Sequence, residues 1–336
     1  MTTGSKSPSQ RDDLLQRVAR LPGRGQARVK RFAAVDIGTN TILLLAAELG
    51  RGGTFRVLED RAEITRLGAG VDRTRRIGPD GVGRSLEVLR DYVARCRKLG
   101  VDEIVAVGTS AIRDARNSGE LKARLKAELG LDLRVLTGAE EAAYSYLAVE
   151  KGLALKAEDL LVVDVGGGST ELVWGRGGAI HRWASLDMGS VRLTERFLFS
   201  DPVREEECGQ LIHAMDHELE RSLAGWAAAG GSPAMVGIAG TFTTLAAIAK
   251  GLSRYSHSEV HGGNLSRAEI QRQIGLFKTK AIAGRNGIPG LEPKRADVIL
   301  AGAMLIDRIM AHFRIARVTV SDQGIRYGLL YERLAG

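Results

Sequence analysis

Val163-Asp164-Val165-Gly166-Gly167-Gly168-Ser169-Thr170-Glu171 reads as an apolar strand that closes on an aspartate, turns through three glycines and leaves along a second strand. The same grammar stands earlier, where Val35-Asp36-Ile37-Gly38-Thr39-Asn40 carries a strand-ending Asp into a Gly-bearing turn. Outward from each turn the pattern continues alike. In the first half, apolar runs broken by Gly-bearing turns predict strands over 32–37, 41–49 and 54–60, an antiparallel meander. Val82, Leu86, Leu89, Val93 and Cys96 then recur at three- and four-residue spacing after Pro79, the mark of a long amphipathic helix. A buried strand over 103–107 ends at Gly108-Thr109, a helix opens at Ser110, and a further helix and strand reach Thr137. From Leu160 the sequence begins again with a strand, the glycine turn and strands over 170–175 and 180–186. Later a strand meets Gly240-Thr241 before a helix. Self-similarity of this kind marks an internal duplication.

Two similar α/β halves, over 32–142 and 143–323, are therefore expected to face one another across a cleft, the natural place for a ligand. The terminal strand over 317–321 and helix over 324–336 either complete the second half or pack back on the first. Composition agrees with two domains: 336 residues, 44% hydrophobic and 26% charged. No apolar run approaches the roughly 20 residues of a membrane span. The N-terminus lacks the apolar stretch of a secretory signal, and Cys96 with Cys208 are too few for a disulfide framework, so a cytoplasmic location is expected. The net charge is +8, but eight Lys or Arg against Asp12 and Asp13 fall within 1–31. The basicity thus describes a poorly ordered tail, with polyanion capture or an amphipathic helix as alternatives, and not a specific nucleic-acid-binding fold.

The turns carry the chemistry. Gly38 lets a ligand approach the backbone while Thr39, Asn40 and Thr41 add short donors, and Gly166, Gly167 and Gly168 followed by Ser169 leave a row of unshielded amides. Either loop alone could be a tight turn and nothing more; their recurrence argues for phosphate. Neither continues as a P-loop or a dinucleotide fingerprint. Helices expected after Gly108-Thr109 and Gly240-Thr241 would aim N-terminal amides at an anion. Asp164 and Glu171 lie across a hairpin turn, from which both carboxylates reach a cation over the glycines; hard oxygen ligands beside a phosphate imply Mg²⁺ or Mn²⁺. Arg66, Arg73, Arg75 and Arg76 either line an entrance for a polyanion or form a solvated face. His257 and His261 flank Glu259 in an order that does not make a zinc motif, and both thiols read as inert.

Five segments together resemble the exopolyphosphatase/guanosine pentaphosphatase family: Asp36-Ile-Gly-Thr-Asn-Thr, Val107-Gly-Thr-Ser-Ala-Ile-Arg113-Asp-Ala, Gly138-Ala-Glu-Glu-Ala142, Asp164-Val-Gly-Gly-Gly-Ser-Thr-Glu171 and Gly237-Ile-Ala-Gly-Thr241. The resemblance implies an actin-like, ribonuclease H-like fold in duplicate. It also implies roles. Glu141 would be the general base for the attacking water, with helix capping as the other reading of Glu140 and Glu141. Arg113 would clamp a phosphate, a surface ion pair with Asp114 or Glu120 being the alternative. Asp164 and Glu171, with Asp36, would hold Mg²⁺ (or Mn²⁺), and Gly38, Thr39, Asn40, Thr109, Gly166, Gly167, Gly168, Ser169, Gly240 and Thr241 would cradle phosphates. The implied activity is release of terminal phosphate from polyphosphate, or from guanosine pentaphosphate (pppGpp). A kinase and a non-catalytic alarmone sensor are the competing classes. Long family members carry a further helical domain, which turns the expectation here toward short chains. A homodimer is the family's usual assembly.

Overall fold

A computed structural model describes residues 30–155, 157, 159–226 and 233–335. The expected basic tail lies, apart from its last two residues, outside that range. The described chain divides into two compact units, one of residues 30–148 with 325–335 and one of Val149–Gly324.

The first unit is built on strands β1 (Arg31–Ile37), β2 (Thr41–Leu49), β3 (Phe55–Ile64), β4 (Glu103–Gly108) and β5 (Leu133–Val135), in the order β3-β2-β1-β4-β5. The β1–β2–β3 meander is antiparallel, whereas β4 and β5 run parallel to β1 after helical crossovers. That difference follows from connection length: two tight turns join the meander, while a parallel neighbour needs a crossover. Helix Pro79–Lys98 opens with Pro79, whose missing N–H costs nothing in the first turn, and buries Leu86, Leu89, Val93 and Cys96. The last helix, Ile325–Ala335, packs on β1 and β2 of this unit, so the far end of the chain returns to the first half. Arg326 and Tyr327 fasten it to Asp60 of β3 at 3.0 and 2.9 Å.

The second unit repeats the plan with β6 (Asp159–Val165), β7 (Thr170–Arg176), β8 (Ala179–Leu186), β9 (Ala234–Ile238), β10 (Asn264–Ser266) and β11 (Arg317–Val320). Its order is β10-β11-β9-β6-β7-β8; with the short β10 set aside, β8-β7-β6-β9-β11 is the first sheet again. Helix Ile299–His312 is buried along almost its whole length, and Trp174 and Trp226 both meet Phe313 beneath the sheet. Truncating such a core side chain to Ala costs about 2–5 kcal/mol. The glycine turn joins β6 and β7, two interior strands of this sheet.

Candidate active site

In the first unit Asp36, the penultimate residue of β1, is buried. The turn after it closes when Gly38 N donates to Thr41 O at 3.0 Å. Asn40 is only 6% exposed, yet neither its side-chain oxygen nor its nitrogen has a hydrogen-bond partner among the described residues. An unsatisfied buried amide costs about 1–3 kcal/mol. A ligand that pairs with it recovers that energy. The carbonyls of the turn are held from behind by the segment that follows β3. Gly68 N donates to Thr39 O at 2.8 Å, and the N–H groups of Thr65 and Arg66 both donate to Asn40 O at 3.0 Å. Gly68 has to be glycine here, since a Cβ would lie 2.4 Å from the Thr39 methyl.

Thr109 caps the single-turn helix Ser110–Asp114, which carries Arg113. The Arg113 guanidinium donates to Leu136 O at 3.0 Å and pairs with the Glu141 carboxylate. Glu120, one of the partners expected for Arg113, is paired with Arg76 instead. Glu141 stands in helix Gly138–Gly152 and is 3% exposed. Its neighbour has a different task. Glu140 accepts from Thr137 N and Oγ1 at 2.8 and 2.9 Å while its own N–H donates to Thr137 Oγ1 at 3.2 Å, a capping box. The two glutamates separate into one that starts the helix and one that is buried against an arginine.

In the second unit Asp164 and Glu171 are direct partners in the β6–β7 hairpin, which puts both side chains on one face of the sheet. Both are buried, and Ser185 Oγ donates to Glu171 Oε1 at 2.7 Å. At the matching place in the first unit Asp36 faces Leu43, so the acidic pair is not duplicated. Gly166 N closes its turn on Ser169 O at 3.1 Å, as Gly38 does on Thr41. Thr241 Oγ1 donates to Val165 O at 3.5 Å.

One sequence expectation needs correcting. Asp36 pairs in register with Val107 and Asp164 with Ile238, so the structural counterpart of Gly108-Thr109 is Ala239-Gly240, not Gly240-Thr241. The chain bends through a left-handed Ala239 (φ 72°), and the helix Ala239–Ala249 begins before the Gly-Thr pair instead of after it. Gly240 leaves room for the Arg295 guanidinium, which a Cβ would meet at 2.2 Å. Burial lowers the pKa of Arg295 from its usual value.

Arg73, Arg75 and Arg76 are exposed, Arg66 is half-buried, and the loop carrying Arg75 is latched by its carbonyl to Arg116 N at 2.9 Å. His257 pairs with Asp322, and His261 reaches the Gly152 carbonyl at 3.3 Å. Among the described residues no three His, Cys, Asp or Glu side chains converge as metal ligands. Both cysteines are buried, and burial pushes the Cys96 thiol up to about 11. Arg295 and the segment Met188–Arg192 behind the glycine turn have no counterpart among the sequence expectations. The signal for the latter was a glycine just past the third strand of each half, Gly68 and Gly189.

Two sheets of one topology, each carrying an aspartate next to last in its leading strand before a glycine turn, define a duplicated actin-like α/β protein. The chain belongs to the Ppx/GppA phosphatase family, whose model matches residues 47–335. It is 35% identical over 315 residues to Exopolyphosphatase 2 of Mycobacterium tuberculosis, covering 89% of this chain and 97% of that one. The Aquifex aeolicus Ppx/GppA enzyme superposes with TM-score 0.76 at 35% identity, covering 90% of this chain and 99% of that one. An exopolyphosphatase from Cytophaga hutchinsonii gives TM-score 0.82 at 27% identity, over 90% and 97%.

Proposed function

We propose that the chain is a Mg²⁺-dependent exopolyphosphatase that releases terminal orthophosphate from inorganic polyphosphate, short chains favoured. The observation that carries the mechanism is the buried Glu141 carboxylate, distinct from the capping Glu140 and held by Arg113. Glu141 accepts a proton from the attacking water, whose oxygen forms the new P–O bond as the anhydride P–O bond to the rest of the chain breaks. Arg113 orients the terminal phosphoryl oxygens as a planar two-pronged donor. In the first unit Asn40 and Thr109 bind phosphate oxygens; in the second, Thr241 and the amides of the Gly166–Ser169 turn do so. Positioning and charge neutralisation carry most of phosphoryl transfer. Asp164 and Glu171, adjacent on one sheet face, suit Mg²⁺ or Mn²⁺, which binds through one or two carboxylates and leaves its other positions to phosphate and water. When bound, the ion would neutralise phosphate oxygens.

The family is named for GppA as well as Ppx, which favours pppGpp 5′-phosphohydrolysis as the second reading. A cytoplasmic location and a homodimer go with the proposal; fractionation and mass in solution test them. The deciding assay measures phosphate release with Mg²⁺ from short polyphosphate, long polyphosphate, pppGpp and ATP. Preferred release from short polyphosphate is expected; release from pppGpp alone replaces the first reading by the second, and release from none overturns both.

A further inference from the structure

Three consecutive carbonyls of the glycine turn are held from one side. Gly166 O accepts from Ser190 N at 2.9 Å, and Gly167 O accepts from Val191 N and Arg192 N at 2.9 and 3.1 Å. Gly168 O accepts from the Arg192 side chain, Nε, at 2.6 Å. In a planar trans peptide the N–H of the next residue points opposite to the carbonyl. Anchoring these three carbonyls therefore turns the N–H groups of Gly167, Gly168 and Ser169 to the other side, where no acceptor takes them among the described residues. Gly189 makes the close approach feasible, since a Cβ there would lie 2.4 Å from the Gly167 backbone.

Two of the anchors come from backbone amides that almost any residue would supply. The third, which sets the Gly168–Ser169 peptide, comes from one side chain. Arg192 is 5% exposed, and its guanidinium also lies 3.8 Å from the Asp187 carboxylate. Burying a guanidinium is costly unless its donors are used. Here one donor meets a glycine carbonyl that would otherwise be free to flip.

We propose that Arg192 is a positioning residue for phosphate binding: it fixes the Gly168–Ser169 peptide so that three successive amides form one anion cradle, and it adds a fixed positive charge behind them. Methionine at this position keeps the stem but not the donor, and leaves the peptide able to rotate its carbonyl toward the phosphate. The inference rests on the phosphate reading of the glycine turn, and the experiment separates the two.

Inorganic phosphate binding and steady-state kinetics on short polyphosphate are measured for the wild-type protein, Arg192→Met and Arg192→Ala, with Tm recorded for each. Phosphate affinity of Arg192→Met is expected to fall about 10- to 100-fold, as for other outer residues that orient a binding group. KM should rise more than kcat falls, and added guanidinium ion should restore part of the affinity in Arg192→Ala. If the wild-type protein binds no phosphate, the phosphate reading itself is wrong. If it does and Arg192→Met binds as tightly, or guanidinium rescues nothing, the positioning role is wrong. Should Arg192→Met fail to fold, Arg192→Lys, which keeps a charge and an N–H donor, is compared with Arg192→Ala: tighter phosphate binding in Arg192→Lys supports the role, and wild-type binding in Arg192→Ala overturns it.

Discussion

Across its first hairpin the first half sets Asp36 against Leu43; across the matching hairpin the second half sets Asp164 against Glu171. Topology, turn closure and even the brace behind the turn are shared, for Thr65–Gly68 grips the carbonyls of the first turn as Ser190–Arg192 grips those of the second. The side chains are not shared. The acid pair suited to a cation belongs to the second half, while the first holds Glu141 with Arg113 and the buried amide of Asn40, which has no hydrogen-bond partner among the described residues. Both halves build a glycine-bearing turn on the same sheet plan, and a few side chains distinguish the two.

The strongest way to break this contrast is to make the second hairpin resemble the first. Glu171→Leu should lower kcat/KM for phosphate release by at least about 10²-fold and weaken the Mg²⁺ dependence, consistent with loss of a metal-binding carboxylate. Mg²⁺ titration of the activity reads it, and an unchanged metal dependence would show that the acid pair is only structural.

A smaller and opposite pair of effects is expected at Asn40. Asn40→Leu removes a buried amide that has no partner among the described residues, so the ligand-free protein should become more stable by about 1 kcal/mol while phosphate affinity drops. Thermal melts with and without phosphate separate the two; destabilisation without phosphate would mean that the amide is satisfied within the protein.

A third effect, on stability alone, concerns the helix that returns to the first half. Burial raises the pKa of Glu332 from 4.5 to about 7, against the opposing Tyr144 hydroxyl that donates to it at 3.0 Å. Because the folded state holds this proton more tightly than the unfolded chain, its contribution to stability is full below about pH 4.5 and is lost as pH rises through about 7. Glu332→Gln should flatten that part of the Tm–pH curve, and a curve of unchanged slope would place the titration elsewhere.

Much of the fold was legible because strand, Asp, Gly and turn follow one another in local order twice. The helix at Pro79 was equally plain from spacing. The slip at Ala239 was not, since both halves contain a Gly-Thr pair and only strand register shows that the pairs are not equivalent. The roles of Glu140 and Glu141 look alike in sequence; they separate because Thr137 is three residues before one and Arg113, distant in sequence, packs on the other. The arginine behind the glycine turn was silent for the same reason, as Arg192 meets Gly168 only after β8 has brought the chain back.

Side-by-side assay of Glu141→Gln and Glu140→Gln with Mg²⁺ and short polyphosphate, at matched Tm, tests the assignment most directly. Removing a positioned base should cost about 10²- to 10⁴-fold in kcat for Glu141→Gln with substrate binding retained, while Glu140→Gln should lose only part of a helix cap and keep its turnover. Wild-type turnover in Glu141→Gln, or an equal loss in both variants, would contradict it.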